Sequence, residues 1–377
     1  VTDNGLGNLF DEATITVNVI QSANQPPVIN NQSFSLTENP VSGTIVGTVL
    51  ASDPDAGQTL NYTIISGNTN GAFLINSSTG VISVANTAAI DFETTNSFSL
   101  IVKVEDDGIG NLSSQATINI AVLDVNEAPV IQNQSFTISE NSVSGTQVGI
   151  VAATEPDAGQ TLTFSILSGN INGAFTINPS TGSIIVSNSG ALDFETSSTF
   201  ALSINVQDNG AGSLSNQAVI TISLLDLNEA PVINNQAFSV SENSANGTIV
   251  GTVVASDPDQ GQALTFSIQS GNSNNAFSMN ASTGLLSVAN SSAINYEAGS
   301  SFALIVDILD NGNASLSSQA TITVLLSDVN EEPQITNQTF TVAENSVNST
   351  YVGTVIASDP DAGQTLAYSI LSGNSAG

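Results

Sequence analysis

The chain repeats itself every 102 residues. The segment SLTENPVSGTIVGTVLASDPDAGQTLNYTI, built around Glu38, returns around Glu140, Glu242 and Glu344 with no slip of register. Asp55, Asp157, Asp259 and Asp361 keep the same spacing, and so do Phe73, Phe175 and Phe277. A period of this length is a whole domain rather than one turn of a solenoid. The strings DVNEAP (124–129), DLNEAP (226–231) and DVNEEP (328–333) each end in a proline that stops strand pairing, and so mark boundaries. Complete repeats are therefore expected at 28–129, 130–231 and 232–333, with the C-terminal part of a truncated repeat at 1–27 and the N-terminal part of another at 334–377. Both ends fall inside a repeat, so the chain reads as a segment of a longer array.

Within a repeat the apolar residues alternate with period 2. Leu60, Tyr62 and Ile64 alternate with Asn61 and Thr63, and Phe98, Leu100, Val102 and Val104 alternate with Ser99, Ile101 and Lys103. Strands are expected near 33–37, 44–52, 60–66, 72–76, 81–85, 97–105 and 115–123, and helical periodicity is absent over any useful length. Seven short strands in about 100 residues, joined by Gly, Asn, Ser and Pro turns, predict an all-β fold of tandem seven-stranded Greek-key immunoglobulin-like β-sandwiches in an elongated array. Phe34, Tyr62, Phe73 and Phe98 lie on the inward period and are expected in the core rather than as sugar-stacking platforms.

The charge balance narrows the partners. Thirty-three Asp and Glu face a single basic residue, Lys103, for a formal net charge of -32. Nucleic acid phosphates and anionic lipids repel such a chain, and its natural partner is a cation. A hydrophobic content of 40% still builds cores, which separates it from an acidic disordered tail. No apolar run is long enough to span a bilayer, so direct membrane insertion is not expected of this segment.

Consecutive strands of a sandwich alternate in direction, so alternate loops gather at opposite ends. Asp53 and Asp55 follow the second strand and Asp106 ends the sixth, at the end that receives the incoming linker. Glu38 follows the first strand, Asp91 and Glu93 precede the sixth, and Asp124, Asn126 and Glu127 follow the seventh, at the other end. Stacking end to end then assembles an oxygen cluster at each junction. The first full junction brings Glu38, Asp91, Glu93, Asp124, Asn126 and Glu127 to Glu155, Asp157 and Asp208. The second brings Glu140, Asp193, Glu195, Asp226, Asn228 and Glu229 to Asp257, Asp259 and Asp310, eight carboxylates and one amide. The third brings Glu242, Asn295, Glu297, Asp328, Asn330 and Glu331 to Asp359 and Asp361.

Eight like charges in so small a volume oppose packing unless cations are bound, and about three or four divalent ions balance them. Oxygen donors with no His or Cys select Ca²⁺ or Mg²⁺, and irregular sites of about six to eight oxygens favour Ca²⁺. Acids that merely solubilise loops would scatter, whereas most of the 33 sit at repeated positions.

These motifs resemble those of the cadherin repeat family. Its calcium-binding Glu, Asp-x-Glu, Asp-x-Asn-Asp-Asn linker, Asp-x-Asp and strand-end Asp have counterparts in TEN at Glu38, DFE at Asp91 and Glu93, DVNEA from Asp124, DPD at Asp53 and Asp55, and EDDG at Asp106. Phe92, Phe194 or Tyr296 stands where the family carries Arg, and the linkers read Asn-Glu-Ala or Asn-Glu-Glu, a drift similar to bacterial cadherin-like repeats. Glu155 replaces the first Asp of Asp-x-Asp, and Asn295 the Asp of Asp-x-Glu, which weakens the third junction. The linker QSANQPP (21–27) has no acid, so the leading junction, left with Asp53, Asp55 and Asp106, is expected to bind calcium poorly.

An enzyme is not expected. Asp91 and Glu93 recur at a domain end rather than across a sugar-binding cleft, and the usual general base and thiol nucleophile are missing. The resemblance implies an extracellular or cell-surface array, acting in adhesion or as a calcium-rigidified stalk. The alternatives are a carbohydrate- or matrix-binding module and spacer repeats of a large secreted enzyme. The partners implied are calcium ions at the junctions and, beyond them, another cell-surface protein or a polysaccharide.

Overall fold

The computed structural model describes residues 1–18 and 23–373; Gln21 and Ser22 of the acid-free linker lie outside the described residues. Taking the first complete repeat, strands run β1 (Val28–Ile29), β2 (Gln32–Thr37), β3 (Ile45–Thr48), β4 (Ala51–Ser52), β5 (Leu60–Ser66), β6 (Phe73–Ile75), β7 (Val81–Val84), β8 (Ser97–Asp106) and β9 (Ser113–Leu123). One sheet has the order β2-β9-β8-β5, with β2 parallel to β9, and the other has the order β3-β7-β6. The next two repeats reproduce both sheets. Among the described residues, helical structure is limited to three-residue turns such as Thr69–Gly71, and no helix is long and apolar enough to cross a membrane.

Period-2 alternation becomes burial. Along β8, Phe98, Leu100, Val102 and Val104 are buried while Ser99 is exposed. Phe73 and Phe98 meet edge to face with ring centroids 5.0 Å apart, and the pairs Phe175–Phe200 and Phe277–Phe302 repeat that contact. Each sandwich thus has its own core. Phe34 packs on the rim of the first core, and Lys103 faces outward as an ion pair with Glu105.

The first two strands depart from the expectation. The first begins as β1, which pairs antiparallel with β4, then crosses to β9 as β2. The side chains of Asn31 and Gln32 stitch the crossing: Asn31 Oδ1 accepts the Thr117 N–H at 2.9 Å, and Gln32 brackets Leu50 by accepting its N–H and donating to its carbonyl, both at 3.0 Å. The second strand is interrupted between β3 and β4, and its register shifts between Ile45 and Gly47.

That irregularity brings the Gly47 backbone against the Phe34 ring, where an added Cβ would lie 2.4 Å from a ring carbon. Gly149 meets Phe136 in the same way, at 2.5 Å. Gly149→Ala is expected to destabilise the second repeat by about 1–3 kcal/mol, the usual cost of overpacking, read as a lowered calorimetric transition.

The flanking pieces lack such partners. Within 1–18 the one bridge among the described residues joins Thr2 and Phe10, and within 334–373 Gln334–Ile335 pairs with Ala357–Ser358. Apolar side chains there stand exposed, Ile356 and Ile370 among them.

Candidate metal centre at the repeat junctions

Strand direction delivers the acids as the parity of the loops requires. At the lower end of the first repeat, Glu38 follows β2 and is 3% exposed, although no base lies near it. Its two oxygens are held apart by different segments, Oε1 accepting the Val125 N–H at 2.7 Å and Oε2 the Phe92 N–H at 2.8 Å. Glu140 and Glu242 repeat this bracket with Leu227 and Phe194, and with Val329 and Tyr296. Asn39 then takes a left-handed turn, φ 50°, which asparagine tolerates, and its amide reaches Glu127 Oε1 at 2.6 Å.

At the upper end of the following repeat, Asp157 and Asp208 are each 4% exposed. The linker docks on them directly. Glu127 N–H donates to Asp157 Oδ2 at 2.8 Å, and Asn126 Nδ2 donates to Asp208 Oδ2 at 3.2 Å. The second junction reproduces both bonds through Glu229 to Asp259 and Asn228 to Asp310.

The two ends therefore meet. One carboxylate oxygen from each of Glu38, Asp91 and Glu93 lies within 4.8 Å of the others, and the same holds for Glu93, Asp124 and Asp157, a trio that spans the junction. Glu140, Asp193 and Glu195 form the matching group at the second junction, with Glu195, Asp226 and Asp259 across it. At the third, Glu242, Glu297 and Asp328 gather, and Asn295 stands in the place of Asp91 and Asp193. Its Oδ1 accepts the Ala298 N–H at 2.6 Å as theirs accept the Thr94 and Thr196 N–H groups, but it brings no charge. Glu331 N–H still donates to Asp361 at 2.8 Å, and Asp359 accepts the Asp361 N–H at 3.1 Å. Asn330 turns its Nδ2 to the Glu331 carbonyl rather than to a strand-end aspartate.

These clusters carry an unbalanced field. Burial, then the charges of Asp259 and Glu140, push Asp226 above the usual carboxylate range, and burial with Glu140, Glu229 and Asp226 does the same to Glu195. Glu93, Asp124, Glu155, Asp257 and Asp328 are raised for the same reasons, burial first. A raised folded-state pKa means that the folded chain binds protons the unfolded chain does not. In the absence of divalent cations, stability is therefore expected to rise as pH falls from neutrality toward the ordinary carboxylate range, checked by melting in chelator at a series of pH values.

The donor set also fits a cation. Glu155 Oε2, Asp157 Oδ1 and Asp257 Oδ2 are buried oxygens with no hydrogen-bond partner, which a lone-pair acceptor satisfies only through a proton donor or a metal. At the leading junction Asp53 Oδ2 is likewise buried without a partner, and Asn24 donates to Asp106 at 3.2 Å and Gln25 N–H to Asp55 at 2.7 Å as their counterparts do. The difference lies in the linker, where neutral Gln25 stands in the place of Glu127 and Glu229.

Sequence reasoning overlooked Asn39 and its counterparts, and Gln58, Gln160, Gln262 and Gln364, which bond the linker asparagines. Their spacing of 102 residues was the available signal. Neutral amides simply draw less notice than acids.

The cadherin domain family model matches residues 32–123, 134–225 and 236–327, most of the chain. The chain belongs to the cadherin family. Its relatives include the Drosophila melanogaster protocadherin-like wing polarity protein stan, 31% identical over 99% of this chain, and human protocadherin Fat 1, 32% identical over 98%. This cadherin segment spans only 11% and 8% of those two proteins. Mouse cadherin-23 EC22-24 aligns with a TM-score of 0.59 and 28% identity, covering 81% of this chain and all of its own length. The protocadherin GammaB4 extracellular domain aligns with a TM-score of 0.65 and 26% identity, covering 92% of this chain and 58% of its own. Cadherin repeats are extracellular modules that typically bind calcium, and these relatives are adhesion proteins rather than enzymes.

Proposed function

We propose that this cadherin segment is a calcium-stiffened rod whose function resides at the junctions between repeats. The units are the repeats 28–129, 130–231 and 232–333, and each junction binds Ca²⁺ through the lower acids of one repeat, the linker and the upper acids of the next. At the second junction the ligands are Glu140, Asp193, Glu195, Asp226, Asn228, Glu229, Asp257, Asp259 and Asp310. Their counterparts serve at the first, with Glu155 as a longer arm. The third is weaker, because Asn295 brings no charge. Bound calcium neutralises the cluster and supplies strong electrostatic crosslinks between carboxylates of both repeats.

The observation that carries this reading is the trio Glu195, Asp226 and Asp259, in which two repeats commit acceptor-only groups to one small volume. Nothing protein-borne neutralises it, since Lys103 is the one basic side chain in the sequence. Calcium is expected to raise the melting temperature, with chelator reversing the gain.

Adhesion between surfaces, or projection of a partner-binding tip, is the role such a rod serves in a longer parent protein. It acts without catalysis. A polysaccharide-binding role finds little support, because the repeated aromatics Phe73, Phe98, Phe175 and Phe277 are consumed in the cores. The leading junction, with Asn24 and Gln25 in its linker, is expected to take up no calcium at concentrations that saturate the second; calcium titration of Asp55→Asn, which should leave the measured sites unchanged, checks this.

A further inference from the structure

Each linker asparagine is gripped from the following repeat by a glutamine outside the acidic motifs. Gln58 Nε2 donates to Asn24 Oδ1 at 2.7 Å, Gln160 to Asn126 at 2.7 Å, Gln262 to Asn228 at 2.6 Å and Gln364 to Asn330 at 2.5 Å. At the first three, the asparagine Nδ2 points the other way, to Asp106, Asp208 or Asp310 at 3.1 to 3.2 Å. The pocket is tight. A Cβ on Gly210 would fall 1.6 Å from Asn126 Oδ1, and one on Gly312 would fall 1.5 Å from Asn228 Oδ1, so only glycine fits beside the pair. The remaining amide atom, Oε1 of Gln58, Gln160 and Gln262, is buried without a hydrogen-bond partner.

This arrangement suits a junction free of cations. Asp208 accepts only, and it faces an N–H. A cation held by Asp208 is repelled by that amino group and attracted by the carbonyl oxygen on the other side of the same amide. Half a turn of the Asn126 amide exchanges the two, and then presents Nδ2 to residue 160. A lysine there would have nothing to accept with and a carboxylate nothing to donate with. Glutamine serves both states, because its own half-turn brings the orphaned Oε1 to the asparagine.

Resting on the reading that the junctions bind calcium, we propose that Gln160 and Gln262 are positioning residues whose amides turn over together with Asn126 and Asn228. They donate to the linker asparagine when the junction is free of calcium and accept from it when calcium is bound. Gln58, at the acid-free leading linker, stays in the donating orientation and acts as a permanent latch.

The test is side-chain amide NMR on the full chain, deuterated and selectively ¹⁵N-labelled at Asn and Gln, in chelator and in calcium. Gln160→Met assigns the Gln160 resonances by deletion. Because it removes both bonding modes, it is also expected to speed exchange of the 124–129 linker amides about fivefold, the factor given by one net hydrogen bond. On adding calcium, the Gln160 Nε2 protons should lose their hydrogen-bonded shift and exchange faster with water, while the Asn126 Nδ2 protons stay protected and the Gln58 protons do not move. Gln160 protons that remain hydrogen-bonded in calcium, while junction resonances shift, overturn the paired turn-over. If neither Asn126, Gln160 nor any second-junction resonance responds to calcium, the calcium reading itself fails and takes the proposal with it.

Discussion

Asp259→Ala is expected to cut calcium affinity at the second junction by about a hundredfold while all three sandwiches stay folded. Asp259 is 6% exposed, accepts the Glu229 N–H at 2.8 Å and shares its cluster with Glu195 and Asp226 from the preceding repeat. Removing one member of a buried, paired charge set costs roughly 3 kcal/mol or more, which is a factor of a hundred or more in binding. Asp259 is not a member of the hydrophobic core of its sandwich, so the core is left intact. Calorimetric titration should lose one class of calcium sites and keep the first-junction class, since distant sites behave independently.

Phe175→Ala attacks the other pillar of the fold. Phe175 is 1% exposed and meets Phe200 edge to face at 5.0 Å, so truncation leaves a cavity in the middle of the second sandwich. A loss of about 3–5 kcal/mol is expected. By scanning calorimetry the transition of that repeat should fall by about 15 °C or more, with the transitions of its neighbours retained. The two variants are thus expected to separate cleanly, Asp259→Ala affecting binding with little loss of fold and Phe175→Ala the reverse.

The period-2 runs made most of each sandwich legible, because burying one face of a strand forces every second residue to be apolar. Phe98, Leu100, Val102 and Val104 show it directly. The split of the first strand was hidden for the opposite reason. Val28–Ile29 is too short to carry a pattern, and the crossing is specified by the side chains of Asn31 and Gln32, which imitate backbone hydrogen bonds. Likewise, acids announced the junctions through their charge and parity, whereas Asn39 and Gln160 are neutral side chains that act through short hydrogen bonds. Asn295 shows the limit of counting positions: it keeps the local backbone hydrogen bond of Asp91 and Asp193, here to the Ala298 N–H, but not their charge.

The central claim is that cations at the junctions fix neighbouring repeats against each other. Small-angle X-ray scattering of the full chain, in saturating calcium and in chelator, measures that directly. Locked junctions predict a larger radius of gyration and a sharper interdomain distance distribution in calcium than in chelator. Superimposable profiles in the two conditions would contradict the account.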